Sequence, residues 1–184
     1  MSRSLAVFQV DAFTRQRFTG NPAGVVLGAD ALSDEEMLAI ARELNNADTA
    51  FVSAPDGADH DLRVRFFTPR TEAAFVAHAT VAAHYVMSRR PGPRRLRQKQ
   101  KAGIVEVEVR GEGDARRSAI HQSPPPIGRE LLSRERLAVL DALALSSGDL
   151  DGRCPLLVCG SASTRLMVGV RGAEQPGSSR DSRT

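Results

Sequence analysis

FFTPRTEAAFVAHATVAAHYVM, residues 66–87, decides the fold. Phe66 and Phe67 end an extended run, and Pro69 breaks it. A short second strand follows, then a helix that opens at His78. Apart from Thr80 and His84, Ala79 to Met87 is apolar on every side, so the spacing predicts a buried central helix that is nearly inaccessible along its length. His78 then stands where that helix begins, beside free backbone N–H groups and the positive end of the helix dipole. Such an end suits a substrate carboxylate. A plain polar residue at a helix start reads the same way, and spacing alone leaves both open.

Outward from this helix the chain alternates between strands and turns. Ser4–Phe13 and Ala23–Leu27 read as two strands joined by a long connection. Ser33 and Glu36 form a capping box, and Met37, Ile40, Ala41 and Leu44 follow at helical spacing until Asn45 and Asn46 end the helix. Thr49–Ala54 and Leu62–Thr68 read as strands. Ile104–Val109 alternates strictly, as a half-exposed strand does, and Ser118–Gln122 is another. Three prolines at 124–126 mark a boundary. Beyond them the pattern gives a helix over 129–145 and strands at 156–158 and 164–170. The domains expected are therefore 1–122 and a partial second one, 123–171. The tail 172–184 has Ala173 as its one hydrophobic residue and is expected to be disordered.

Composition bounds the function. The 184 residues are 41% hydrophobic and 26% charged, ordinary for a globular protein. No apolar run spans a bilayer, and the first residues do not read as a signal peptide, so no membrane partner is expected and the cytoplasm is the default. The net charge of +3 has one source. The stretch RRPGPRRLRQKQK, 89–101, holds seven basic and no acidic residues. With Pro, Gly and no aromatic residue it reads as a solvated connector, not a nucleic-acid contact. Cys154 and Cys159 read as opposite faces of one strand, with no partners at zinc spacing. No metal and no organic cofactor is expected.

Three motifs carry a resemblance. Phe18-Thr19-Gly20-Asn21-Pro22, Ala47-Asp48-Thr49-Ala50-Phe51 and Val76-Ala77-His78-Ala79-Thr80 resemble, in order and spacing, the F-x-G-N-P, S-E-T-A-F and C-G-H-A-T motifs of the PhzF family of phenazine-biosynthesis isomerases and their relatives. The resemblance covers about 5–170. It implies an α+β fold like that of diaminopimelate epimerase, in which a curved mixed sheet wraps a central helix and a second, similar domain closes a cleft. It also implies cofactor-independent isomerase or epimerase chemistry, with a proton moved at carbon on a small carboxylate substrate.

Asp48 stands where the family has its acid/base Glu, and His78 where it has its His. As the resemblance implies, these two are the catalytic candidates, and Asn21 with the amides of Ala79 and Thr80 the substrate-binding ones. Asp is one methylene shorter than Glu, and Ala77 replaces a Gly. Asp48 as a loop residue bonding backbone amides stays open beside the catalytic reading. Glu72 and Asp11 read as structural. After Arg171 the sequence leaves the family pattern, as in a truncation or frame change. An incomplete sheet has unpaired edges that invite association, so a homodimer is expected. A non-catalytic remnant that binds a small acid or a partner is the alternative function.

Overall fold

The computed structural model describes residues 4–92, 94–123, 126–154, 156–160 and 165–172. The expected disorder of the tail lies, from 173 on, outside the described residues. The chain divides into two compact units, Met1–Ser123 and Pro124–Thr184.

Among its described residues the first unit is one eight-stranded sheet with two α-helices. Its elements are β1 (Ala6–Ala12), β2 (Asn21–Leu27), α1 (Asp34–Leu44), β3 (Asp48–Ser53), β4 (Leu62–Phe67), β5 (Glu72–Ala73), α2 (Ala77–Ser88), β6 (Arg95–Gln100), β7 (Gly103–Arg110) and β8 (Arg117–His121). The strand order is β1-β2-β3-β4-β6-β7-β8, with β5 paired to β4. Two neighbouring pairs are parallel, β2 with β3 and β4 with β6. Each is joined by a helix, and both steps run the same way across the sheet. Because β3 is antiparallel to β4, β2 and β4 point in opposite directions. Crossovers of this kind are almost always right-handed, so the two helices must fall on opposite faces.

That is how the core divides. Met37 and Ala41 of α1 pack with Val26, Phe51 and Phe67 on one face. Ala79, Ala82, Ala83 and Val86 of α2 pack with Ala23, Val25, Ala50, Val52, Val64 and Phe66 on the other. Alternate residues of each strand serve the two clusters, as a period of two requires. Fully burying one such Phe or Val stabilises the fold by about 1.5–3 kcal/mol. α2 touches β1, β2 and β3 and also β7 and β8 at the other end of the strand order. The sheet therefore curls round it. The curl leaves one stripe of α2 half-buried: His78, Val81, Tyr85 and Ser88. The expectation of a helix hidden along its whole length is corrected there.

α1 starts as its capping box requires: Ser33 Oγ accepts from the Glu36 N–H at 3.2 Å, and Glu36 accepts from the Ser33 N–H at 2.9 Å. Asn45 ends it in the left-handed conformation. Gly24 lets the end of α1 approach the sheet, since a Cβ there would stand 2.6 Å from Thr49 Oγ1 and 2.9 Å from Leu44 Cδ1.

The basic run corrects a second expectation. Arg95–Gln100 is not a connector but β6, a central strand paired to β4 and β7. Its alternation was masked because two of the three inward residues are polar. Gln98 and Gln100 are buried. Gln98 Nε2 donates to Gln100 Oε1 at 2.8 Å, and Gln98 Oε1 lies 2.9 Å from His84 Nε2. Outward, Arg97 pairs with Asp61 and Lys99 with Asp56.

The second unit holds β9 (Ile127–Glu130), α3 (Ser133–Ala142), β10 (Leu157–Cys159) and β11 (Arg165–Met167), with sheet order β11-β10-β9 and a small core of Leu140, Leu150 and Leu156. The helix expected from 129 begins four residues later. Residues 127–130 pair with β10 instead, and the Glu135 carboxylate accepts from the Leu132 N–H at 2.9 Å at the true start. Cys154 lies in a turn and not on the strand with Cys159, and both are free thiols.

Candidate active site

The topology brings three segments to one end of the first unit. β2 and β3 are parallel and in register with Ala23 opposite Asp48. Both strands therefore start at the same edge. Asn21, two residues before Ala23, shares its face of β2. Asp48, two residues before Ala50, shares the α2-facing side of β3. β4 runs back to that edge and hands the chain to α2 through a tight turn. In it the Thr68 hydroxyl accepts from the N–H groups of Arg70 and Thr71 and donates to the Thr71 carbonyl. Phe75 then seats edge-on against Phe66, ring centroids 6.5 Å apart. So α2 begins beside the first residue of β3.

Asp48 is a strand residue, not a loop residue. Its carboxylate Oδ2 lies 3.7 Å from His78 Nε2, with both side chains mostly covered, at 16% and 12% exposed. That is close enough for charge to be felt and too far for a hydrogen bond. His78 Nε2 is buried with no hydrogen-bond partner. Burial pushes the Asp48 carboxyl above its ordinary range, and His78 partly offsets this. A desolvated carboxyl beside an unsatisfied ring nitrogen is the arrangement that proton-transfer sites use.

The N-terminus of α2 supplies the donors. Val76 caps it with no side-chain hydrogen bond. Thr80 is the first residue whose N–H is taken up inside the helix, donating to the Val76 carbonyl at 3.0 Å. Its hydroxyl also donates to that carbonyl and accepts from Gln98 Nε2. Thr80 is thus committed to the helix, and the open amides are those of Ala77, His78 and Ala79. Sequence reasoning missed Ala77 because the motif drew attention to the two residues after His78. Asn21 is exposed at the start of β2. The loop before it closes on β1, since a Cβ at Gly20 would stand 2.5 Å from the Ala12 carbonyl oxygen.

Glu72 and Asp11 serve the frame. Glu72 takes a 2.8 Å hydrogen bond from Arg65, which also binds Asp34 of α1. Asp11 accepts from the Phe18 N–H at 2.7 Å. Among the described residues there is no group of three or more His, Cys, Asp or Glu that could hold a metal ion. No helix among them is long and apolar enough to cross a membrane.

Comparison with known proteins adds a second line. A family model described as phenazine biosynthesis-like protein, PhzC-PhzF, matches residues 10–177. An uncharacterized isomerase of Clostridium acetobutylicum is 36% identical over 173 residues, 93% of this chain and 57% of the relative. The uncharacterized isomerase YddE of Escherichia coli is 38% identical over 167 residues, 90% of this chain and 56% of the relative. The chain thus spans a little over half the length of these relatives. Among solved structures, a Bacillus anthracis phenazine biosynthesis protein of the PhzF family superposes with a TM-score of 0.70 at 32% identity, covering 90% of this chain and 55% of that one. A Pseudomonas aeruginosa protein described as a predicted epimerase gives 0.75 at 25% identity, covering 91% and 60%.

Proposed function

Because this chain belongs to the PhzC-PhzF family of phenazine biosynthesis-like proteins, we propose that it works as an isomerase or epimerase that moves a proton at carbon on a small carboxylate substrate. One observation carries the reading: the desolvated Asp48 carboxyl faces the unpartnered His78 nitrogen across 3.7 Å, at the open end of α2. The substrate carboxylate takes the amides of Ala77, His78 and Ala79, with Asn21 beside them. Asp48, as the carboxylate, removes a proton from carbon: the C–H bond breaks and an O–H bond forms. The charge left on the substrate is stabilised by the helix end and by His78. Asp48 then returns the proton to carbon, at another position or on the other face. The reading assigns the transfer to side chains of this chain and calls on no organic cofactor or metal. It takes the assembly to be a homodimer in the cytoplasm.

The test is incorporation of solvent deuterium into a panel of cyclic dihydro-aromatic and amino-acid carboxylates. Exchange that vanishes in Asp48→Asn, with carboxylate binding weakened in His78→Ala, is the expected result. Robust exchange that persists in Asp48→Asn removes Asp48 from its role. The second reading, a chain that binds a small acid without turnover, draws on the same 3.7 Å gap, which is too wide for a working hydrogen bond. Binding without exchange, even in Asp48→Glu, is its signature.

A further inference from the structure

The other end of α2 opens on a cavity. It holds about 310 Å³, the small end of the range for ligand pockets. β2 and β3 finish there, and β6 starts there. Leu27, Val52 and Leu96 form apolar walls, His84 lies at the base, and Arg90 and Arg94 stand at the rim. Among the described residues no acidic one lines it.

The basic run divides into a paired part along β6 and an unpaired part before it. Arg95 pairs with Glu106, Arg97 with Asp61, Lys99 with Asp56 and Lys101 with Glu72. Among the described residues neither Arg90 nor Arg94 has an ion pair, and both are exposed. The run is therefore neutralised along β6 and left positive before it, at Arg89, Arg90 and Arg94, of which the last two line the cavity.

We propose that this cavity is a second binding site, for a small amphipathic anion whose apolar body enters between Leu27, Val52 and Leu96 and whose charged head stays at Arg90 and Arg94. Two further facts fix that orientation. His84 is neutral at physiological pH, with burial holding its ring at about 4, so the base offers no cation. The C-terminus of α2 carries the negative end of its dipole, which disfavours an anion deep inside. The site is separate from Asp48 and His78 and stands whether or not they transfer protons.

Octanoate is the probe, with octan-1-ol as its uncharged counterpart, both titrated into the full chain and followed by methyl NMR. The expected result is saturable octanoate binding that shifts the methyl signals of Leu27, Val52 and Leu96. The double variant Arg90→Gln/Arg94→Gln raises the octanoate Kd about tenfold or more, leaves octan-1-ol binding as it was, and keeps the spectrum of a folded protein. His78→Ala leaves octanoate binding unchanged. Absence of saturable binding overturns the proposal. So does an octanoate Kd that the double variant does not alter, which would leave the two arginines only the task of complementing the helix end.

Discussion

α2 carries two histidines six residues apart, and its two ends treat them differently. At the C-terminal half His84 is buried, its Nε2 matched by the Gln98 amide at 2.9 Å. At the N-terminal end His78 is nearly as well covered, but its Nε2 has no partner and faces a carboxylate at 3.7 Å. Residue type and helix are the same. What differs is whether the surrounding chain completes the hydrogen bonding. A completed ring is fixed and inert, and holds the sheet to the helix. An incomplete one is available to something that arrives from outside.

The largest effect expected from breaking this contrast is at the open end. Asp48→Asn should lower deuterium exchange on any accepted substrate by about 10²–10⁴-fold, the range a positioned acid/base group supplies, with the melting temperature unchanged. Asp48→Glu should raise exchange, since one more methylene shortens the gap. In the parent chain the rate should rise with pH through a midpoint above the ordinary aspartate range, because burial holds the carboxyl protonated longer.

At the closed end the effect is on stability and its pH dependence. His84 is held down to about 4 in the folded chain, against 6.5 for a free ring. The stability it allows is fully present above pH 6.5. As pH falls, the unfolded chain takes up a proton that the folded chain refuses until about 4, so stability drops across that window. The drop is up to about 3 kcal/mol. Denaturant unfolding of His84→Gln should show that slope flattened, and a slope equal to the parent's would mean the ring is not shielded. Gln98→Leu, which leaves His84 without its acceptor, should cost about 1–3 kcal/mol at neutral pH. Arg97→Gln, one residue away and outward, breaks only a solvent-screened surface pair with Asp61 and should leave stability almost unchanged.

The same strand shows where the sequence was legible and where it was not. The central helix, the strands β1 to β4 and the capping box of α1 follow from apolar spacing and cap chemistry, and they appear where expected, with one stripe of α2 half-buried instead of hidden. β6 does not read as a strand because its inward side is Leu96, Gln98 and Gln100. Only the tertiary partners of Gln98, on α2 and on its own strand, make an inward amide tolerable, and no local pattern reveals them. In the second unit the error is of the same kind: residues 127–130 look like a helix start until β10 pairs with them. At the site, Asp48 and Asn21 are marked by motif alone, and His78 by motif and by its place at the start of the central helix. The committed Thr80 amide, the open Ala77 amide and the unpartnered Nε2 of His78 emerge only from the fold.

The parallel pairing of β4 with β6 has a consequence for how the chain acquires its shape. β1 to β4 are neighbours in sequence or joined by the short α1 crossover, so they can assemble early. β6 pairs with β4 across the intervening α2, and we expect a non-local step of that kind to come late and to be slow. Its arrival is what seals His84 away from water. In mildly acidic solution the unfolded ring carries a proton that must leave before Gln98 closes over it. Refolding should therefore slow as pH drops from 7 to 5 while unfolding changes little, and in stopped-flow experiments His84→Gln should remove that dependence. The helix that presents the site would then also set the tempo at which the sheet closes round it.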